Sequence, residues 1–306
     1  MRLPLAICLA LMAVSGCAQR PAPEVVNDPW QSAEDPQSLA KARAAMERID
    51  EQLKAAAALP PPERLAAQTK LGPDLADAAA IADGTKLANR AYWLLAQWRI
   101  HFNNGKGAED ALNKLDACKD SGLKQLGRMM RIELLLREGR LVQARAQAER
   151  LAKDIPDFAG ILAIVGLYEQ VGKTAPKLDG LNATGEVITL TEGTNGRAYV
   201  IVFVDKLNPD TIFFMKRYQA ALGSRGVLVG LVTDTGPAQM IEAQPQLPGA
   251  LLLRGGSEER LTAWRNSWGI LSDQCVVVVD GAGMIAAVQI GPSELAVLPA
   301  LNAPQR

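Results

Sequence analysis

From residue 36 to about 173 the apolar positions recur at helical spacing in a background of Ala, Leu, Arg and Glu. The run is interrupted at Leu59-Pro60-Pro61-Pro62, Gly72-Pro73, Gly105 to Gly107, Ser121-Gly122, Glu138-Gly139 and Ile155-Pro156. A 3.6-residue apolar period marks a helix with one buried face, and Gly and Pro punctuate it, so the spacing predicts about seven helices. At about Thr174 the period changes. Short β-branched runs, Val187–Leu190, Tyr199–Val204, Val227–Thr233, Ala250–Leu253, Cys275–Val279 and Ile285–Ile290, alternate with helical stretches near 209–223, 236–244, 257–268 and 293–302. Alternation of this kind predicts an α/β layer fold around a central sheet. Asp280-Gly281-Ala282-Gly283, between two apolar runs, predicts a hairpin turn. The expected architecture is a two-domain α+β chain, all-α helical hairpins over 36–173 and an α/β domain over 174–306.

The first residues follow a different rule. Arg2 precedes an apolar run from Leu3 that closes on Val14-Ser15-Gly16-Cys17, the basic, apolar and small-residue order of an export signal. The run is too short to span a bilayer. A cysteine directly after two small residues resembles the bacterial lipobox, which implies cleavage after Gly16, a lipid thioether on Cys17 and attachment to a membrane outside the cytoplasm. Ala18 after the lipidated position implies the periplasmic face of the outer membrane. Residues 17–35, rich in Pro and polar side chains without periodicity, read as a tether.

Charge then narrows the function classes. Removing residues 1–16 takes one Arg from the 33 basic residues and nothing from the 33 acidic ones, a net charge of −1. Nucleic-acid binding draws on clustered Lys and Arg, and no such cluster stands out. His101 is the single histidine, which argues against a His-built metal site or a Ser/His/Asp triad. It is expected to be a half-buried ring beside Trp98 and Phe102. The pairs Trp93/Trp98 and Trp264/Trp268 are expected to pack cores. Gly281-Ala282-Gly283 with Ala286 matches a dinucleotide fingerprint in letters only, because no helix fits before Gly291-Pro292. No metal or cofactor is implied.

Two breaks, Gly105 and Gly139, lie 34 residues apart. The segment Leu126–Phe158, with Gly139 at its turn, Leu141 and Ala144 following, and Pro156 closing the second helix, resembles a tetratricopeptide repeat. Residues Ala159–Lys173 offer a further first helix, with Leu162 and Gly166 at the close-packing positions. Trp98 stands where that family has a small residue, so a generic helical bundle remains the other reading of this half.

Over residues 175–303 the order of elements resembles the thioredoxin fold, in its TlpA-like and peroxiredoxin-like branch, which implies a mixed central sheet. The carrying residues are Ala175-Pro176, a hairpin with Gly185 and Leu190, Gly196-Arg197 entering the strand Tyr199–Val204, and Val278-Val279-Asp280-Gly281-Ala282-Gly283-Met284-Ile285. That family's chemistry needs a thiolate at a helix N-terminus, where the dipole and free N–H groups lower its pKa, and a second thiol one turn along. Here the tetrapeptide position falls on Asn208-Pro209-Asp210-Thr211, without cysteine. Asn208 as N-cap, Pro209 at the first helical position and Asp210 in the first turn explain the sequence as a helix start. The family's cis-proline position falls on Gln274. Cys275 beside it reads either as a buried small hydrophobe or as a lone redox thiol, and Cys118 is its one other candidate partner after cleavage and lipidation.

The resemblance and these absences together imply a lipid-anchored envelope protein that binds proteins or peptides without catalysis. Its expected surfaces are the helical hairpins and the degenerate face around Leu207, Asn208, Pro209, Asp210, Thr211, Gln274 and Cys275. The competing expectation is a thiol-disulfide or peroxide-handling protein that uses Cys275.

Overall fold

The computed structural model describes residues 35–102, 104–117, 121–190, 197–268 and 274–290. The signal, Cys17 and the tether lie outside them, as do Cys118 and the helical stretch expected near 293–302. The chain divides into two compact units, one reaching Leu134 and the other from Leu135.

The first unit is helical: α1 (Pro36–Ala57), α2 (Pro61–Ala82), α3 (Ala88–His101), α4 (Gly105–Asp116) and most of α5 (Ser121–Arg137). Asp35 starts α1 by accepting the Gln37 and Ser38 amide protons at 3.3 and 3.1 Å, and Pro36 needs no partner for an N–H it lacks. Ala42, Ala45, Met46 and Ile49 then carry the buried stripe. They pack in one core with Leu71, Leu75, Leu95, Leu112 and Leu115. Arg131 of α5 binds Asp116 at 2.7 Å and Asn113 at 3.1 Å, which ties α5 to α4. His101 is half-buried and meets the Phe102 ring edge-on at 4.8 Å, with Trp98 equally close on Phe102.

Gly72-Pro73 does not break a helix; α2 runs through it to Ala82. The glycine serves packing instead. The Trp98 indole lies against it so closely that a Cβ at Gly72 would sit 2.3 Å from a ring carbon, and Trp98 Nε1 donates to the Gln68 carbonyl at 2.7 Å. Trp98 thus occupies a notch that only glycine leaves open, with its indole N–H satisfied by the same helix.

In the second unit α6 (Leu141–Asp154) and α7 (Ile161–Tyr168) precede a seven-stranded mixed sheet of order β2-β1-β5-β4-β3-β6-β7. Its strands are β1 (Leu178–Leu181), β2 (Val187–Leu190), β3 (Ala198–Val204), β4 (Gly226–Val232), β5 (Leu251–Arg254), β6 (Gln274–Val279) and β7 (Ile285–Ile290). The six expected strands form within a residue of their predicted ends, and β1 completes with β2 the hairpin around Gly185 that the family resemblance implied. As a compact unit, this second one takes in the end of α5, α6 and α7 as well as the sheet. Past α7 the chain joins the sheet: the Gly172 N–H donates to Ile285 O, the Ile285 N–H to Lys173 O and the Ala175 N–H to Gly283 O, each at 2.8 Å.

The crossover helices are α8 (Pro209–Leu222), between β3 and β4, and α9 (Pro237–Ala243), between β4 and β5; α10 (Glu258–Trp268) follows β5. Register separates the two faces of the sheet. Val202, Gly230 and Leu252 are aligned across β3, β4 and β5, and a Cβ at Gly230 would meet Met215 of α8. The alternate row, Phe203, Leu231 and Leu253, lies under α10, where Trp264 Nε1 donates to Asp179 O at 2.7 Å and Trp268 is buried. At the far end of β6, Asp280 Oδ1 accepts the Ala282 and Met284 N–H groups at 2.9 Å and Gly283 takes φ 81°, closing the expected hairpin.

Trp98 is clamped by its own hydrogen bond and cannot swing away. Gly72→Ala is therefore expected to lower unfolding free energy by about 1–3 kcal/mol, although alanine is the better helix former. In a Trp98→Ala background the same change is expected to cost nothing or to stabilise. Urea unfolding of the four chains measures both.

Candidate functional site

The site is set by the C-terminal end of β3. Val204, the last residue of this buried strand, pairs with Gln274 on one side and Val232 on the other. Two backbone bonds hold the loops beyond: the Thr233 N–H donates to Val204 O at 3.0 Å and the Asp234 N–H to Asp205 O at 2.9 Å. The Lys206 N–H closes on Asp205 Oδ1 at 2.8 Å. The chain then starts α8 as the sequence predicts, with Asn208 at the N-cap in an extended conformation, Pro209 first in the helix and Asp210 in the first turn.

Asn208 Oδ1 accepts from the Thr211 N–H at 2.9 Å and from the Thr211 hydroxyl at 3.1 Å. One amide oxygen therefore satisfies an otherwise orphaned helix donor and a buried hydroxyl together. Thr211 is only 9% exposed, Leu207 and Asp210 are half-buried, and Asn208 and Pro209 are exposed. Below them, Val202, Val204, Thr211, Phe214 and Val276 enclose a cavity of about 20 Å³, which Phe203 and Cys275 also border. That is room for one water, and the walls are almost wholly apolar. The four residues at this helix start, Asn208 to Thr211, include no cysteine.

Cys275 and Gln274 do come to this end of the sheet, as expected, with Phe203 opposite Cys275 and Val204 opposite Gln274. Directly opposed residues of antiparallel strands share a face. Cys275 thus shares Phe203's face, where the Phe203 ring lies 6.0 Å from that of Trp268, while Thr211 and Phe214 lie on the α8 face. Cys275 is 1% exposed and unpaired, and burial pushes its thiol far above the ordinary range. No cis peptide occurs among the described residues. Nor, among them, are three His, Cys, Asp or Glu side chains grouped as metal ligands, and no helix there is long and apolar enough to cross a membrane.

The second unit has a thioredoxin-like fold, and the N-terminus of its α8 holds an asparagine cap. No family model matches the chain, and no curated protein matches its sequence. Among solved structures, it is similar over 43% of its length to 94% of the thioredoxin domain of a thiol-disulfide oxidoreductase from Bacteroides vulgatus, at 16% identity and TM-score 0.35. A thiol:disulfide interchange protein of the thioredoxin family from Chlorobium tepidum matches at 20% identity and TM-score 0.34, over 42% of this chain and 92% of its own. A peroxidoxin from Mycobacterium tuberculosis matches at 16% identity and TM-score 0.35, over 45% of this chain and 99% of its own.

Sequence reasoning located the helix start, the strands and Trp268 as a core residue, but missed Arg254, which closes β5 in register with Val232 and whose Nε is buried without a hydrogen-bond partner. An arginine ending an apolar strand, followed by two glycines, was the available signal.

Two measurements follow from this geometry. Asn208→Ala removes the cap and strands the Thr211 hydroxyl, for an expected loss of about 1–2 kcal/mol in chemical unfolding. For Cys275, the unfolded thiol ionises near pH 8.5 while the folded one keeps its proton, so the unfolded state loses protons first and stability falls as pH rises. Comparison with Cys275→Ala between pH 8 and 10 is expected to show that decline in the parent chain and a shallower one in the variant, by up to about 1.4 kcal/mol per pH unit. Equal slopes would mean a thiol that ionises in the folded protein.

Proposed function

We propose that this chain is a lipid-anchored envelope protein whose thioredoxin-like domain docks other proteins without thiol chemistry. The observation that carries the reading is the Asn208–Thr211 cap. It fills the helix N-terminus where a thiolate would be stabilised, while the nearby thiol of Cys275 is buried on the other face of the sheet. Thiol exchange requires an accessible thiolate, and burial suppresses both access and ionisation. The exposed Asn208 and Pro209, with Leu207 half-buried beside them, leave a surface suited to an extended partner. The helical hairpins expected over 36–173, read as tetratricopeptide-like, are the other candidate for the same general use. Cys17, lipidated after cleavage at Gly16, places both at a membrane, on this reading the periplasmic face of the outer membrane.

The test is affinity capture with residues 19–306 from envelope extract, beside a control lipoprotein. The expected result is a partner held by the parent chain and lost on Leu207→Asp with Pro209→Gly. Recovery of nothing above the control overturns the reading. Insulin reduction and peroxide consumption by the same protein are expected to stay at background. Turnover that disappears with Cys275→Ser would establish the redox reading instead.

A further inference from the structure

On one side the sheet ends at β2, and register fixes which backbone groups of that strand point outward. The Asn182 N–H donates to Glu186 O at 3.0 Å across the hairpin, so Ile188, opposite Gly180, and Leu190, opposite Leu178, turn their N–H and C=O groups toward β1. Val187 and Thr189 therefore turn theirs away. The other side of β1 agrees: Leu181, opposite Val187, is the residue that pairs with Arg254 of β5. Among the described residues nothing bonds to the outward groups of Val187 or Thr189. Two donors and two acceptors thus stand on an open edge.

The opposite edge of the sheet is treated differently. On β7 the Ile285 N–H and C=O are taken by Lys173 and Gly172. Edge strands of natural sheets are blunted by lysine, proline or a bulge, and Val187-Ile188-Thr189-Leu190 has none of these. Val187 is 58% exposed and Thr189 is exposed on the same face, while Ile188 and Leu190 are half-buried on the other. Such an edge offers main-chain bonds to an extended chain and a β-branched side chain for it to pack against.

Charge decides between the extended chains that could lie there. Glu186, exposed at the start of the edge, is held by a neutral donor, Asn182 Nδ2, at 2.8 Å. Asp179 of β1 is already matched by Arg260. A second copy laid antiparallel about Ile188 would bring another Glu186 and, along β2, no cation. A partner strand that carries lysine or arginine beside β-branched residues supplies both the charge and the packing.

We propose that the free edge of β2 is a strand-addition site for an extended, basic segment of a docked protein. That the occupant is a protein rests on the docking reading above; the edge itself is separate from the Leu207–Pro209 face.

The experiment uses the full chain and the acetylated, amidated peptide Lys-Val-Thr-Val-Lys as probe, beside Lys-Pro-Thr-Pro-Lys, whose prolines cannot donate to a ladder. Amide exchange followed by NMR is expected to slow at Val187 and Thr189 and much less at Ile188, whose N–H already faces Gly180. With probe at ten times its dissociation constant the slowing is about tenfold. Val187→Pro, compatible with an N–H that faces solvent, is expected to abolish the effect at Thr189. If that variant does not fold, Glu186→Lys serves, and probe affinity is expected to drop about fivefold. Three results overturn the proposal: no slowing at millimolar probe, equal slowing by the proline peptide, or slowing of the same two amides with protein concentration alone, which would make the edge a contact between copies. An envelope partner lost on Leu207→Asp with Pro209→Gly but kept by Val187→Pro would leave the docking reading standing and remove the edge from it. Protection by the probe without a captured partner would keep the edge and remove its protein source.

Discussion

An α-helix begins with backbone N–H groups that have no partner within the helix, and the second unit of this protein is organised around what meets them at the start of α8. Where a thiolate would draw on those donors and on the helix dipole, Asn208 supplies a neutral amide oxygen and Thr211 folds its hydroxyl onto the same atom. A neutral cap gives a stable helix start and removes the electrostatic reason for an anion at that position. Beneath the cap, Val202, Val204 and Phe214 line a small apolar cavity with room for a single water.

The sheet makes the arrangement rigid. β3 is paired on both sides, parallel to β4 and antiparallel to β6, so the end of β3, the cap of α8 and the start of β6 are fixed relative to one another. The same pairing decides the fate of Cys275. Alternation along β6 sends it to the Phe203 and Trp268 side, and a slip of one residue would have sent it toward α8. Its place next to Gln274 in sequence therefore does not bring it to the α8 side, because neighbours along a strand face opposite ways.

Much of this was legible in the residues. Helix starts were readable because caps act locally: Asn208-Pro209-Asp210 states its role without reference to the rest of the fold. Core strands were readable because runs such as Tyr199–Val204 and Cys275–Val279 are continuously apolar, as strands covered on both faces must be. What escaped depends on contacts distant in sequence. Gly72-Pro73 carries the local marks of a break, and only Trp98, from the next helix, shows that the glycine is a packing notch. β1 is short and includes Asp179 and Gly180, so neither period nor propensity marks it, and only the family resemblance, through the hairpin at Gly185, implied it. Arg254 looks like an ordinary strand end until its buried Nε is seen.

The central claim is that this fold is used without thiol chemistry. It is tested most directly by acid-quenched thiol trapping on protein taken from the cells that make it, with mass spectrometry following Cys275 before and after peroxide and reductant. The account predicts one unmodified, reduced state of Cys275 throughout. Oxidation of Cys275, or its appearance in a mixed disulfide, would contradict the account.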